Sequence, residues 1–366
     1  MATHITVVKF GGTSIQDAPA FMRVAQIVKA RESSPLIVVA SAMSGVTDAL
    51  IASFRCVSTR GAGASAQTLE EHFARHLEVG QNLSPLRFTR LRSLIENSRS
   101  EIVELLKHVS NNGKVDLRLH DAIVSHGERL AANLLTLVLE EHGMPAQYVD
   151  ARNCVITNNE HGNAAPLLKE LQQKTCDELL PLLDQKRIPV LGGFIGSTTD
   201  GVTTTLGRGS SDYSATLIGA AVHAREIEIW TDVDGIQTAD PRLVETTRTV
   251  PHVSYSEAAQ LANLGARVMH PSMIEPVIAD RIPIRILNSH APQQAGTLIS
   301  AESHPNGTVK AIAHKITGET AIVGCVGHGL DFKFRVERAD VGTVVRRLHA
   351  AIFESTQDSQ KLTRLP

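Results

Sequence analysis

Short apolar runs alternate with longer amphipathic stretches at the start of the chain. The runs at 5–10 and 36–40 are almost wholly apolar, which is typical of strands buried on both faces of a sheet. Between them, Asp17 can cap a helix that has one apolar face. Four residues make up that face: Phe21, Val24, Ala25 and Val28. The pattern therefore predicts a strand, a helix and a second strand in succession.

The same alternation of predicted strands and helices continues over most of the chain. Residues 65–110 read as mostly helical with a break near Ser84-Pro85, and 120–142 reads as one strong helix. Ser254 and Glu257 have the spacing of a capping box at a later helix start. Further strands are predicted at 146–149, 188–195, 226–231 and 282–287, with a β-ribbon at 196–206. This alternation predicts an α/β domain with a mainly parallel sheet and helices on both faces.

Composition narrows the class of protein. The chain has 366 residues, 42% hydrophobic and 20% charged, with a formal net charge of -2. Such a balance suits a globular protein with room for two domains, and it disfavours a nucleic-acid surface. No run is long and apolar enough for a membrane span, and no secretory signal is recognisable. The cysteines, which form no CxxC pair, predict free thiols in a reducing cytoplasm: Cys56, Cys154, Cys176 and Cys325.

The first chemical motif is Lys9-Phe10-Gly11-Gly12-Thr13-Ser14, between the first strand and the first helix. Glycines let the backbone approach a ligand and adopt costly dihedrals, and exposed amides there can hold phosphate oxygens. Lys9 adds a positive charge. A plain strand-to-helix turn is the competing interpretation. Neither a P-loop nor a dinucleotide-binding GxGxxG follows the first strand, which disfavours a dehydrogenase.

The second motif is Thr203-Thr204-Thr205-Leu206-Gly207-Arg208-Gly209-Ser210-Ser211-Asp212. Arg208 offers a planar fork that matches a carboxylate, and Asp212 offers an acceptor for an ammonium group. Both signs of charge within five residues suit a zwitterionic amino acid, and a helix beginning near Ser211 adds positive potential. A polar loop with a capping aspartate remains the alternative.

Two further motifs are weaker when taken singly. Ser125-His126-Gly127-Glu128-Arg129 opens an apolar helix, so Glu128 either accepts from a substrate ammonium or complements the helix dipole. Trp230-Thr231-Asp232-Val233-Asp234-Gly235 ends a strand in a turn, where α/β sheets commonly bind ligands. The second of these is a candidate nucleotide-binding edge.

Taken together, the motifs resemble those of the aspartate kinases of the amino-acid kinase family. The resemblance covers about 5–300 and includes three further segments: Ser41-Ala42-Met43-Ser44-Gly45-Val46-Thr47-Asp48, Gly193-Phe194-Ile195-Gly196 and Gly265-Ala266-Arg267-Val268-Met269-His270-Pro271. It implies an open, mainly parallel eight-stranded sheet sandwiched by helices. It also implies transfer of the γ-phosphoryl group of ATP to the side-chain carboxylate of L-aspartate, giving 4-phospho-L-aspartate, the first step towards lysine, threonine and methionine.

The resemblance also implies a role for individual residues. Lys9, Gly12 and Asp212 are expected to be catalytic, with Lys9 neutralising the phosphoryl group in transit. Aspartate binding is expected at Thr47, Glu128, Arg208, Ser211 and Asp212. ATP binding is expected at Lys9, Gly11, Gly12, Ser14, Thr231, Asp232, Gln237, Arg242 and Arg267. Aspartate is expected in the N-terminal part of the domain and ATP in the C-terminal part.

Three positions depart from the family pattern, which commonly has Gly, Tyr and Lys at Ser210, Gln237 and Arg267. Ser210 adds bulk and restricts the backbone, and Gln237 removes an aromatic surface. Arg267 keeps the charge but changes the donor geometry. These changes are expected to affect affinity more than activity.

The predicted chemistry needs no general base, because a carboxylate with a pKa of about 4 is already ionised at neutral pH. Positioning and charge neutralisation should therefore carry catalysis. Mg²⁺ is expected to travel on ATP oxygens and water, with no dedicated protein site for it.

The chain is expected to divide into a kinase domain, 1–300, and a partial or degenerate ACT-like α+β segment, 301–366, that reads strand, strand, helix. We expect weak or absent feedback inhibition in this chain alone, and a homo-oligomer. Two alternatives stay open: another small-molecule kinase of the same fold, acting on glutamate, acetylglutamate, carbamate or a nucleotide, and a catalytically weak sensor of aspartate or ATP.

Overall fold

The computed structural model describes residues 4–112, 116–207, 209–266, 271–302, 309–327 and 329–354. Contacts divide the chain into two compact units, Met1–Asp232 and Val233–Pro366. These units are groups of residues that contact one another, so they do not test the expected domain boundary near residue 300. That boundary stays a prediction.

Five parallel strands form the sheet of the first unit, in the order β3-β4-β2-β1-β7. Every residue of the three central strands β4, β2 and β1 is buried. Since successive side chains of a strand point to opposite faces, both faces of the sheet are covered. The strands are β1 Thr6–Phe10, β2 Leu36–Ala40, β3 Ala146–Tyr148, β4 Ile188–Gly192 and β7 Glu226–Thr231.

Eight helices belong to the described part of this unit. They are α1 Ala18–Lys29, α2 Val46–Gln67, α3 Glu70–Leu83, α4 Phe88–Asn112, α5 Leu117–Val124, α6 His126–Glu141, α7 Leu168–Asp184 and α8 Ser211–Ala221. Asp17 caps α1 as predicted by accepting from the Ala20 N–H, and the four predicted apolar residues are buried. The break near Ser84 is also confirmed, because α3 ends before it and α4 begins beyond a short 3₁₀ turn.

Two predicted elements are each divided. The helix predicted at 120–142 is two helices, α5 and α6, which meet at Ser125, and the Ser125 hydroxyl donates to the Ala122 carbonyl at 2.7 Å. The strand predicted at 188–195 stops at Gly192, because Phe194 has a φ of 67° and turns the chain. A separate antiparallel ribbon then confirms the predicted one, with strands β5 Ile195–Ser197 and β6 Thr203–Thr205.

The second unit contributes the strands β8 His252–Ser254, β9 Ile284–Asn288 and β10 Thr297–Ser300. Strand β10 is antiparallel to β9 and parallel to β8. The described strands give the eight-stranded, mainly parallel sheet of the predicted fold class, which is confirmed. The predicted capping box opens α9 Tyr255–Asn263, where Ser254 and Glu257 exchange hydrogen bonds. A short helix, α10 Glu275–Ile278, precedes β9.

The C-terminal segment has one strand more than predicted. Its antiparallel sheet consists of β11 Val309–Thr317, β12 Thr320–Gly327 and β13 Leu330–Glu337, and helix α11 Val341–His349 follows. A small core joins this sheet and helix to the segment around Ala239 and Val244. The C-terminal segment therefore packs with residues of its own unit that precede β8.

Candidate active site

The candidate site lies where the parallel strands of the first unit end. Lys9 is the fourth residue of β1 and pairs in register with Val39 of β2 and Ile229 of β7. Because carboxyl ends of parallel strands share one edge, the turns after β1, β2 and β4 meet there. The helices α2, α6 and α8 carry Thr47, Glu128 and Asp212 respectively in their first turns.

Lys9 and Asp212 form a direct ion pair, with Lys9 Nζ 2.5 Å from Asp212 Oδ1. The two side chains are only 9% and 15% exposed. In such a shielded place a charge pair interacts more strongly than on an open surface. The structure therefore joins the first and second sequence motifs at one point.

Close packing requires a glycine at the second of the two positions that follow β1. The Gly11 N–H donates to the Trp230 carbonyl at 2.9 Å, and neither Gly11 nor Gly12 has a positive φ. A Cβ on Gly12 would lie 2.8 Å from the Ala42 carbonyl oxygen, and one on Gly11 would lie 3.7 Å from Lys9 Nζ. The expectation that these glycines adopt costly dihedrals was therefore wrong, and their expected close approach to a ligand stays a prediction.

Glu128 is the most unusual carboxyl group of the site. Burial raises its pKa to about 8, although hydrogen bonds from the backbone of Glu128 and Ala42 and from the Thr47 side chain oppose the shift. Its Oε2 atom has no hydrogen-bond partner among the residues that the structure describes. A buried acceptor of this kind is suited to a cationic ligand group.

Close packing explains why Glu128 lies there. A Cβ on Gly127 would be 2.9 Å from the Ala42 Cβ, and one on Gly192 would be 3.0 Å from the Glu128 Cβ. The first turn of α6 is therefore packed closely between the end of β4 and the turn after β2. Glycine at both positions allows this approach.

The segment before α8 is held by local hydrogen bonds. The Ser210 hydroxyl donates to the Gly207 carbonyl at 2.5 Å, and Ser210 itself has a φ of -90°. A serine is thus accommodated at this position without backbone strain, and its expected effect on affinity stays a prediction. The Ser214 hydroxyl accepts from the Phe194 N–H at 2.8 Å, which fixes the turn after β4 beside α8.

The remaining predicted residues differ in how they are placed. Ser14 is buried next to the Trp230 carbonyl, and Thr231 and Asp232 end or follow β7, the neighbour of β1. In the second unit, Gln237 donates to Thr249, and Arg242 pairs with Asp240 at 2.5 Å. Arg208 and Arg267 lie outside the described residues.

The chain is similar to known proteins over most of its length. The amino acid kinase family model matches residues 4–288. The chain belongs to the amino acid kinase family. Lysine-sensitive aspartokinase 3 of Escherichia coli is 36% identical over 320 residues, which are 85% of this chain and 67% of the relative. The aspartokinase of Chlamydia trachomatis is 33% identical over 84% of this chain and 68% of its own length.

Solved structures of the family are also similar. Aspartokinase III of E. coli in complex with aspartate and ADP has a TM-score of 0.78 at 33% identity, covering 85% of this chain and 68% of that one. The same protein with lysine and aspartate has a TM-score of 0.82 at 26% identity, covering 96% and 100%. The chain spans about two thirds of the length of the two curated relatives.

Several residues that shape this amino acid kinase site were missed by sequence reasoning. Arg75 on α3 donates to the Ser44 carbonyl at 2.6 Å, and Asp121 on α5 receives hydrogen bonds from the ribbon and a neighbouring turn. Trp230 belongs to a predicted motif, but the contact of its carbonyl group with the Gly11 N–H was not predicted. No local pattern marks such residues, because their partners lie far away in sequence.

Among the described residues, no group of three or more histidine, cysteine, aspartate or glutamate side chains is arranged to hold a metal ion. In the same parts of the chain, no helix is both long and apolar enough to cross a lipid bilayer.

Proposed function

We propose that this member of the amino acid kinase family is an aspartate kinase. One side-chain carboxylate oxygen of L-aspartate attacks the γ-phosphorus of ATP, and the bond from that phosphorus to the β,γ-bridging oxygen breaks. The products are 4-phospho-L-aspartate and ADP. The aspartokinase relatives support this acceptor, since they are up to 36% identical over most of the chain.

The observation that carries the proposal is the Lys9–Asp212 ion pair at the strand ends, beside Gly12, which cannot be enlarged without displacing the Ala42 backbone. Lys9 is then available to stabilise charge on the phosphoryl group, and Asp212 holds its ammonium group in place. Preorganised charge of this kind is commonly the largest contribution to phosphoryl transfer.

The amino-acid substrate requires acceptors for an ammonium group and donors for a carboxylate. Buried Glu128, with one unpartnered oxygen, supports the first requirement together with Asp212. We assign aspartate binding to Thr47, Glu128, Arg208, Ser211 and Asp212. Helix starts at α2 and α8 add positive potential for the substrate carboxylates.

We assign the nucleotide to the turn after β1 and to residues that follow β7. The amides near Gly11, Gly12 and Ser14 suit phosphate oxygens. The other proposed ATP-binding residues are Thr231, Asp232, Gln237, Arg242 and Arg267. Mg²⁺ would accompany ATP, where it is held by phosphate oxygens and water.

No side chain is required as a general base in this reaction. The attacking carboxylate is ionised at neutral pH, so its attack on phosphorus needs no proton transfer. The protein has to bring two anions together, which fits a site with Lys9 and several helix starts. A homo-oligomeric state and a cytoplasmic location remain predictions from the sequence.

Hydroxylamine trapping of the acyl phosphate tests the proposal. With ATP and Mg²⁺ present, aspartate is expected to give the hydroxamate, while glutamate, acetylglutamate, carbamate and uridine monophosphate are expected to give little ADP release. Turnover with one of those acceptors in place of aspartate would assign a different kinase of this family. Tight ATP binding without turnover of any acceptor would favour a sensor.

A further inference from the structure

Asp121 is a fully buried carboxylate that belongs to none of the predicted motifs. It lies in the middle of α5, and both its oxygens accept hydrogen bonds. Oδ1 accepts from the Thr205 hydroxyl at 2.7 Å, and Oδ2 accepts from the Gly162 N–H at 2.8 Å. A charged group with no exposure is costly unless it is fully paired, so this position calls for a specific explanation.

Additional hydrogen-bonding groups surround the same carboxylate. The Thr205 N–H is 3.3 Å from Oδ2, and the Nδ1 atoms of His161 and His120 lie 3.2 and 3.3 Å from Oδ2 and Oδ1 respectively. Asp121 therefore hydrogen-bonds to two separate segments of the chain: the end of β6 and the turn that contains His161 and Gly162. An asparagine in place of Asp121 would direct the hydrogens of its side-chain NH₂ group at Thr205 or Gly162, whose groups are themselves hydrogen-bond donors.

Both of these stretches adjoin the segment that leads to α8. Thr205 is two residues before Gly207, whose φ of 88° favours glycine. A Cβ on Gly207 would overlap the Asn163 side-chain oxygen, so the turn held by Asp121 is packed directly against Gly207. The Gly207 carbonyl in turn accepts from Ser210, the residue before Ser211.

A second connection runs through the turn after β4. The Leu206 N–H donates to the Phe194 carbonyl at 3.0 Å, and the Phe194 N–H donates to Ser214 in α8. Movement of Thr205 and Leu206 would therefore disturb α8 from two sides. Asp212 lies in the first turn of that helix and pairs with Lys9.

We propose that Asp121 is a positioning residue for the amino-acid site. By fixing both the end of β6 and the turn beside Gly207, it sets where α8 presents Ser211 and Asp212 to the amino-acid substrate. This inference rests on the proposed aspartate kinase function. It assigns Asp121 to the binding of the acceptor and not to the binding of ATP.

Steady-state kinetics of Asp121→Asn test the inference. We expect the KM for aspartate to rise at least about tenfold, the scale of a small misplacement of binding groups. The KM for ATP should stay within about twofold by the same reasoning. A residue needed for folding alone would lower the amount of active protein and the unfolding temperature, but would leave both KM values unchanged.

Thr205 provides a milder pair of variants in case Asp121→Asn fails to fold. Thr205→Val removes the hydroxyl that donates to Asp121 and should raise the KM for aspartate selectively. Thr205→Ser keeps the hydroxyl and should restore most of the affinity. Glu141→Gln is the matched control, because Glu141 pairs with Arg87 at the far end of α6.

The outcomes separate this inference from the proposed function. If wild type turns over aspartate and the Asp121 and Thr205 variants show an unchanged KM for aspartate, the inference is overturned and the function stands. If wild type does not turn over aspartate, the proposed function fails, and calorimetric titration with aspartate decides the inference. Equal affinity in wild type and Thr205→Val, or no binding to wild type, would refute it.

Discussion

The Nζ atom of Lys9 lies 2.5 Å from the Oδ1 atom of Asp212, and both side chains are shielded from solvent. The pair joins the end of the first strand to the first turn of α8. Because a buried lysine is strongly oriented by its carboxylate partner, Asp212 determines the position of the Lys9 ammonium group. We therefore treat Lys9 and Asp212 as one functional unit.

Loss of Lys9 should be the most damaging single change to catalysis. Lys9→Ala is expected to lower kcat at least about 100-fold, the scale of losing one preorganised group that stabilises developing charge. Asp212→Asn should also lower kcat, since Lys9 would lose its orienting partner. Hydroxamate formation under saturating aspartate and ATP measures both effects.

The double variant shows whether the two residues act together. Residues of one unit give strongly non-additive effects, so Lys9→Ala with Asp212→Asn should be no more than about tenfold worse than Lys9→Ala alone. Lys29→Ala is the control, because Lys29 makes an exposed pair with Glu32. Fully additive losses would contradict the proposed coupling.

Glu128 should make aspartate binding depend on pH. Burial raises its pKa to about 8, so the free protein carries a proton there at pH 7. The ammonium group of the substrate requires the ionised form, and binding at pH 7 should release a proton. The apparent affinity for aspartate should therefore rise with pH, by roughly tenfold per unit below about pH 8. Calorimetry in buffers of different ionisation enthalpy measures the released proton.

The Glu128 carboxyl group should also make the free energy of unfolding depend on pH. This free energy should fall as pH rises, whereas the affinity for aspartate should rise. Its pKa in the folded protein lies above the ordinary value of 4.5, so the folded state keeps a proton that the unfolded state loses. The free energy of unfolding should accordingly fall as pH rises from about 4.5 to about 8 and then level off with respect to this group. Glu128→Gln should remove both pH dependences. A Glu128→Gln variant that retains the wild-type pH profile of aspartate affinity would contradict this role.

Local signals were the part of the fold that the sequence predicted well. The cap at Asp17, the capping box of Ser254 and Glu257, and the strand at 226–231 all depend on neighbouring residues. Both Lys9 and Asp212 were expected to be catalytic from the family resemblance, which links motifs that are distant along the chain. The structure then supplied the distance between them.

Features that depend on distant partners could not be predicted. Asp121 is buried because Thr205 and Gly162 approach it from other parts of the chain, and nothing near Asp121 in sequence indicates this. The division of the strand at Gly192 likewise depends on Phe194, which adopts a left-handed conformation while hydrogen-bonded to Ser214. In both cases tertiary contacts outweighed the local pattern.

Gly12 should not tolerate a methyl group. In Gly12→Ala the new Cβ would meet the Ala42 carbonyl oxygen at 2.8 Å, so the turn after β1 would have to move. We expect kcat to fall at least about tenfold, because the Lys9 charge and the adjoining amides are displaced. Overpacking should also lower the free energy of unfolding by about 1–3 kcal/mol.

Gly63 offers the matched control for that substitution. It lies in α2, is exposed, and a Cβ added to it would meet no other atom within 4 Å. Gly63→Ala should therefore raise the free energy of unfolding by about 0.5–1 kcal/mol, because alanine loses less backbone freedom in a helix. Kinetics and denaturant unfolding of both variants measure these effects. Wild-type turnover by Gly12→Ala would show that the turn is not confined.

His349 should anchor the C-terminal helix within the second unit. It is fully buried, its Nε2 lies 2.9 Å from the Thr238 hydroxyl, and its Nδ1 lies 3.1 Å from Glu354. His349→Ala leaves the Thr238 hydroxyl without this partner, so the free energy of unfolding should fall by about 1–3 kcal/mol. His290→Ala is the control, because His290 is exposed in the same unit, and its effect should stay within about 0.5 kcal/mol. Denaturant unfolding measures both values, and equal stability of the two variants would mean that α11 is held by its apolar contacts alone.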